Sequence, residues 1–326
     1  MELTAVSKVI SRCRKLVGHF KHSTTLTAEM HERQKAMGVP EHTLVQDVVT
    51  RWNSTYQMMT RLVEQRRVVS DILLDPKLSK KEDSVLNLKE YEWDLIGELS
   101  DILRPLADTT EYMCTERCVS VSEIYPIVCG LVNRRLVASN TDSNTASRVK
   151  EVIREDLIRR YQPSSDTAAL GALLDPRYKK LPFFSSQQRK ITHGALESCL
   201  EDLPLRLPAS DVNNCEETPS KRRKLDFLDF GSPERTSEDE VQSYLSEKMV
   251  SGTDPLLWWR DNEERFPKIV IVAKRVLAVP ATSVPSERIF SATGLLINKL
   301  RNRLSSEIVD SIIFLNKNEV NIIEAD

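Results

Sequence analysis

Glycine is scarce, with nine in 326 residues, and proline adds only fifteen, so the composition is not that of a disordered, fibrous or collagen-like chain. Cysteine is limited to positions 13, 114, 118, 129, 199 and 215, too few and too irregular for a disulfide scaffold. Reduced thiols are the simpler reading and point to the inside of a cell. Long apolar runs are missing: nothing approaches the roughly 18 residues needed to span a bilayer. Residues 1–11 hold no apolar core followed by a small-residue cleavage site, which argues against secretion as well as membrane insertion. A chain that begins directly with a helix-like pattern is also compatible with one cut from a longer protein. An excess of either charge is missing too, since 46 Lys and Arg face 48 Asp and Glu for a net charge of −2. Any contact with DNA would therefore have to be local.

Common catalytic signatures are equally absent: no glycine-rich phosphate loop, no Gly-x-Ser-x-Gly elbow and no His-Glu-x-x-His. Cys13, His19 and His22 lie close in sequence and Cys114 and Cys118 lie one helical turn apart, but neither set supplies four ligands at zinc spacing. No metal site is expected from them, and no base-orienting partner marks a Cys/His nucleophile pair.

What is present is 40% hydrophobic and 29% charged residues, enough for a sizeable core and about two domains by length. Low glycine with high charge leans helical. Apolar residues at three- and four-residue steps predict one helix over 4–37, ended by Gly38 and Pro40, and a second from Asn53 or Ser54 to Leu74, stopped by Asp75-Pro76. Further runs follow at 93–106, where Pro105 predicts a kink or break, at 122–137, and at 149–158 after a polar loop over 139–147. Period-two alternation is scarce, so few strands are expected. Residues 209–242 read as a solvated acidic linker interrupted by Lys221, Arg222, Arg223 and Lys224, a compact cluster suited to an import receptor. A solvated charge run is the plainer alternative.

The last section, 243–326, is apolar and periodic again. Asp254 as cap with Pro255 in the first turn predicts a helix start before Trp258 and Trp259, which stand about 100° apart and serve either an internal core or an interface. Ser283 and Pro285 open another helix, placing Glu287 near its N-terminal end, where support from the helix dipole is the plain explanation of a carboxylate.

Four runs together resemble the C-terminal region of the hAT transposase superfamily, most closely the animal BED-type zinc-finger proteins descended from it. They are Asp47-Val48-Val49-Thr50-Arg51-Trp52-Asn53-Ser54-Thr55-Tyr56, Ala172-Leu173-Leu174-Asp175-Pro176-Arg177-Tyr178-Lys179, Asp254-Pro255 with Trp258-Trp259, and the stretch from Pro280 to Ser291 that contains Ser286-Glu287-Arg288. The resemblance implies a ribonuclease-H-like fold whose sheet is not in this chain. Residues 1–208 would be its helical insertion domain, 209–242 a disordered linker and 243–326 the helical dimerisation region. It also implies that Glu287 corresponds to the third catalytic carboxylate of a two-metal site. The two aspartates, and a DNA-binding zinc finger, would lie upstream, so Mg or Mn would be a cofactor only with an upstream catalytic core. Trp52, with Arg51, matches a motif that stacks on an extruded base, a packed core position being the alternative.

The expected protein is mainly α, without catalysis of its own: a nuclear, transposase-derived, self-associating factor that is DNA-associated or regulates transcription. Its expected dimer anchors are Trp258, Trp259, Phe266, Ile269, Val270, Val276, Ile289, Phe290, Ile308, Ile312 and Phe314. The competing expectation is part of an active transposase completed by upstream residues.

Overall fold

The computed structural model describes residues 2–78, 83–115, 121–162, 166–203, 237–284, 286–289, 293 and 304–323. Among them the regular structure is helical and there is no strand, as the spacing predicts. Two compact units divide the chain: 1–112 with 127–162, and 113–126 with 163–326.

The first unit is built on α1 (Glu2–Lys21), α2 (Thr24–Met37), α3 (Trp52–Glu64), α4 (Arg66–Leu74), α5 (Glu90–Met113) and α7 (Asn144–Arg160). Helix α1 turns Val9, Cys13, Leu16, Val17 and Phe20 inward against Met58, Met59 and Leu62 of α3, the Val68–Leu73 face of α4, and Trp93, Ile96 and Leu99 of α5. Burial pushes the Cys13 thiol up to about 12, which makes it an inert core residue.

Two helices expected to be continuous are each broken. The 4–37 run divides at Ser23, whose Oγ accepts from the Leu26 N–H at 3.2 Å and caps α2. The 53–74 run divides at Gln65, whose buried amide accepts from Gln34 Nε2 at 2.8 Å and donates to the Pro40 carbonyl at 2.9 Å. Apolar periodicity carries across both breaks because the flanking helices bury the same face. Helix α5, by contrast, passes through Pro105 without a break.

Gly38 closes α2 at φ +65°, with the Val39 N–H returning to the Gln34 carbonyl at 3.0 Å. A methyl group there would meet no atom within 4 Å, so Gly38→Ala tests backbone conformation alone. It should lower stability by about 1 kcal/mol and the melting temperature by a few degrees, read by thermal circular dichroism. An unchanged melt would show that the left-handed cap is not held in solution.

The second unit gathers the turn at Val121–Glu123, α6 (Ile124–Gly130) through Tyr125, α8 (Thr167–Leu174), α9 (Ser186–Glu201), α10 (Ser237–Ser246), α11 (Pro255–Asp261), α12 (Ile269–Leu277) and α13 (Ser306–Ile323). Helix α8 is apolar on every side and buried throughout from Ala169 to Leu174, which places it at the centre. Gly171 lets the Val121–Ser122 segment approach, since a Cβ at that position would lie 3.0 Å from Val121 Cγ1. This grouping differs from boundaries at 208 and 242. Helices α8 and α9 share one core with α10, α11 and α12, and α10 begins at Ser237, inside the expected linker. Linear order hid the division because the buried partners of 169–200 lie at 241–277.

Candidate functional site

The segment 47–56 is a tight turn that presents an aromatic ring. Asp47 is buried; its two carboxylate oxygens share the Arg14 Nε–H, at 3.0 and 2.8 Å, and it accepts a hydrogen bond from Thr55 Oγ1 at 3.0 Å. Ser54, with Asn53 one of the two expected helix starts, instead folds back: its Oγ accepts from the Val48 N–H at 2.8 Å and donates to the Arg51 carbonyl at 2.6 Å. Helix α3 therefore starts at Trp52, with Arg51 at the cap position and no side-chain capping bond. Trp52 is 44% exposed and Arg51 is exposed, so this tryptophan is not a packed core residue of the unit. A cleft of about 370 Å³ lies further along α3, lined by Val45, Tyr56, Gln57, Thr60, Arg61 and Glu64.

The segment 173–179 looks equally functional in sequence and does structural work instead. Asp175 is fully buried and accepts from Ser122 Oγ at 2.7 Å, from the Arg177 N–H at 2.9 Å and from Arg177 Nη2 at 2.7 Å. Arg177 also reaches Glu123 at 3.0 Å. Lys179, also fully buried, donates from Nζ to the Tyr244 carbonyl at 2.8 Å and lies 4.7 Å from the centre of the Tyr244 ring. Burial depresses the Lys179 pKa and raises that of the Tyr244 phenol. The Tyr244 hydroxyl donates to the Leu173 carbonyl at 3.0 Å, and Trp259 Nε1 donates to the Leu174 carbonyl at 2.7 Å. The carbonyls at the end of α8 thus find donors on α10 and α11, as a buried helix end requires.

Helix α11 starts as predicted, with Asp254 accepting from the Leu256 and Leu257 N–H groups and Pro255 in the first turn. Several expected anchors, however, are spent inside the chain. Trp259, Phe266, Ile269 and Val270 are between 0 and 2% exposed, and Trp258 and Val276 pack partly against the same cluster. Trp258 meets Trp259 edge-on at 4.9 Å and stacks on Phe266 at 6.0 Å. Trp259, Phe266, Ile269 and Val270 cannot anchor a second copy without opening the fold. Ile308 and Phe314 stay 50% and 65% exposed, Ile312 is half-buried, and Ile289 is half-buried near the helix start at Ser286–Arg288.

Glu287 is exposed; its N–H donates to the Ser283 carbonyl at 3.0 Å, and its Oε1 accepts from Ser283 Oγ at 2.9 Å. Arg288 donates to the Cys114 carbonyl at 3.1 Å. No group of three His, Cys, Asp or Glu side chains converges among the described residues. One carboxylate does not make the two-metal site that the resemblance implies, and no metal-dependent step follows from these residues. Phe290, the basic cluster Lys221, Arg222, Arg223 and Lys224, and most of the 209–242 segment lie outside the described residues. Tyr244, Asp175 and Lys179 are organising residues that apolar spacing did not single out as such. The signal was available only in the polar composition of a segment next to the fully apolar α8.

Residues 2–101 match the ZBED1 RNase-like helical domain, and residues 240–319 match the hAT family C-terminal dimerisation region. Zinc finger BED domain-containing protein 4 of Homo sapiens is 23% identical over 343 residues, covering 96% of this chain and 27% of that protein. A putative AC transposase of Zea mays is 24% identical over 291 residues, covering 82% of this chain and 36% of the relative. Zinc finger BED domain-containing protein RICESLEEPER 2 of Oryza sativa subsp. japonica is 24% identical over 349 residues, with 95% and 48% coverage. The chain thus spans from about a quarter to a half of the length of these curated relatives. With one match at each end and relatives of both kinds along its length, the chain is similar to BED-type zinc-finger proteins and hAT transposases, and its residues 240–319 match the hAT C-terminal dimerisation region.

Proposed function

We propose that this chain is the self-associating part of a nuclear, transposase-derived regulatory protein that associates with DNA and does not itself cut it. One observation carries the self-association: α13 has two apolar faces, and among the described residues only one of them is covered. Val309 is 4% exposed, whereas Ile308, Ile312 and Leu315, at i, i+4 and i+7, form a separate stripe on which Ile308 and Leu315 are 50% and 57% exposed. This stripe lies in the part that matches the dimerisation region, and it is the kind of surface that a second copy buries. A relative named as a putative transcriptional regulator, from Talaromyces stipitatus, supports the regulatory part of the reading, as do the BED-type relatives. The exposed Trp52 beside Arg51 supports the DNA part, because an aromatic face next to a guanidinium suits an unpaired base. The cluster at 221–224 supports nuclear import.

The test is light scattering across a concentration series on the full chain and on an Ile308→Asp, Leu315→Asp double variant. Both positions are exposed, so the fold should survive while the dimer dissociation constant rises by more than about a hundredfold, given some 1.5–3 kcal/mol per buried side chain. A variant that stays dimeric at the same concentrations would overturn this interface.

A further inference from the structure

Helix α1 carries a charge pattern that the first unit does not use. From Leu3 to Ser23 there are five Lys and Arg residues and two histidines and no acidic residue; from Val48 to Val63 there are two arginines and again no acid. The two α1 arginines are occupied: Arg12 pairs with Glu92 at 2.8 Å and Arg14 with Asp47. Lys8, Lys15 and Lys21 form no ion pair among the described residues and are exposed. Lys8, Ser11, Lys15, Gly18 and His22 recur at steps of three and four, so they share one face, with Lys8, Lys15 and His22 each about 10.5 Å apart along the axis. Residues 46 and 47, which lead into the turn bearing Trp52, lie against the Arg14 and Gly18 side of α1, next to that stripe. Arg14 holds Asp47, a Cβ on Gly18 would come 3.9 Å from Gln46 Oε1, and α1 packs on α3.

An acid-free row of lysines beside an exposed indole and guanidinium is complementary to a chain that alternates phosphates with flat rings. We propose that the Lys8–Lys15–His22 stripe of α1 is a phosphate track for single-stranded DNA, aligned so that a base of the same strand reaches Trp52. This rests on the DNA-associated reading above and adds to it the surface that holds the backbone. The two buried acids that pair with α1, Asp47 and Glu92, are neutralised by Arg14 and Arg12, so they do not repel the strand. A strand held by two lysines and a stacked base needs no rearrangement of the unit.

The experiment is fluorescence anisotropy of the full chain with a labelled 20-nucleotide single strand, repeated across a series of salt concentrations. Comparisons are a Lys8→Ala, Lys15→Ala variant, Trp52→Ala, and an abasic strand of equal length. Each phosphate contact on a single strand contributes about 0.7 to the slope of log affinity against log salt, so the double-lysine variant should lose about 1.4 of that slope and bind at least about tenfold more weakly at 0.1 M salt. Trp52→Ala and the abasic strand should both bind more weakly with the slope unchanged. If the wild-type chain binds but the double-lysine variant keeps its slope, the track is overturned while the DNA reading stands. If the wild-type chain binds neither strand at any salt, both fall.

Discussion

Replacing Asp175 by alanine is expected to cost about 3–5 kcal/mol of stability, because it removes one partner of a buried charged pair and leaves the others without compensation. Arg177 would keep only Glu123, and the Ser122 hydroxyl, which is fully buried, would lose its acceptor. Against a typical total of 5–15 kcal/mol this is a large fraction, and it should lower the melting temperature of the unit by about 10 °C. Asp175→Asn keeps the side-chain acceptor and the shape, so its loss should be clearly smaller. Circular dichroism melts of both variants read the difference. A loss under about 1 kcal/mol for Asp175→Ala would mean that the network is not formed in solution.

The second expectation concerns the matched dimerisation region taken alone. A fragment spanning 240–326 should be poorly helical and should not form a discrete dimer, although it contains the whole stretch that matches that region. The reason lies outside the fragment. Tyr244 and Trp259 give their polar atoms to carbonyls at 173 and 174, and Leu170, Leu173, Leu174, Leu181, Phe184, Leu196 and Leu200 cover the inner faces of α10, α11 and α12. Each such side chain is worth roughly 1.5–3 kcal/mol when fully buried, so their removal exceeds the stability of an ordinary domain. Buried donors would also face water or nothing. Ellipticity and sedimentation of the fragment decide it: a cooperative melt and a single dimer peak would show that the region folds without α8 and α9.

The helical class and most helix positions were legible because amphipathic helices write their buried face into the chain at three- and four-residue steps. The cap at Asp254 was legible for a local reason, since Asp followed by Pro satisfies a helix start within three residues. Two boundaries were not legible. At Ser23 and Gln65 the break is made by a side chain whose partner, or whose purpose, lies outside the apolar pattern. Trp52 could be located from its motif, but not its exposure, which depends on Ser54 bonding backward to Val48 and on Asp47 being taken by Arg14. The buried positions of Trp259, Phe266, Ile269 and Val270, expected as anchors, were not legible for a complementary reason. An apolar helix facing a distant part of its own chain and one facing a second copy have the same sequence, and only the position of α8 separates them. Asp175 and Lys179 stand four residues apart in one polar run, yet they bond to residues 122 and 244.

The interleaving of the two units also sets an order of events during synthesis. Val121 and Tyr125 leave the ribosome before residues 127–162, which complete the first unit, and about 150 residues before α12, which completes the core they belong to. At about 5–20 residues per second, that apolar segment waits on the order of 10–30 s for its partners. The first unit can close around residues 127–162 within that interval. The second is committed to finishing late, because α8 has only the 121–125 segment and α9 to pack against until α10, α11 and α12 have emerged. A nascent chain of this kind is most vulnerable to aggregation and to holding by chaperones between the completion of α8 and the arrival of α12.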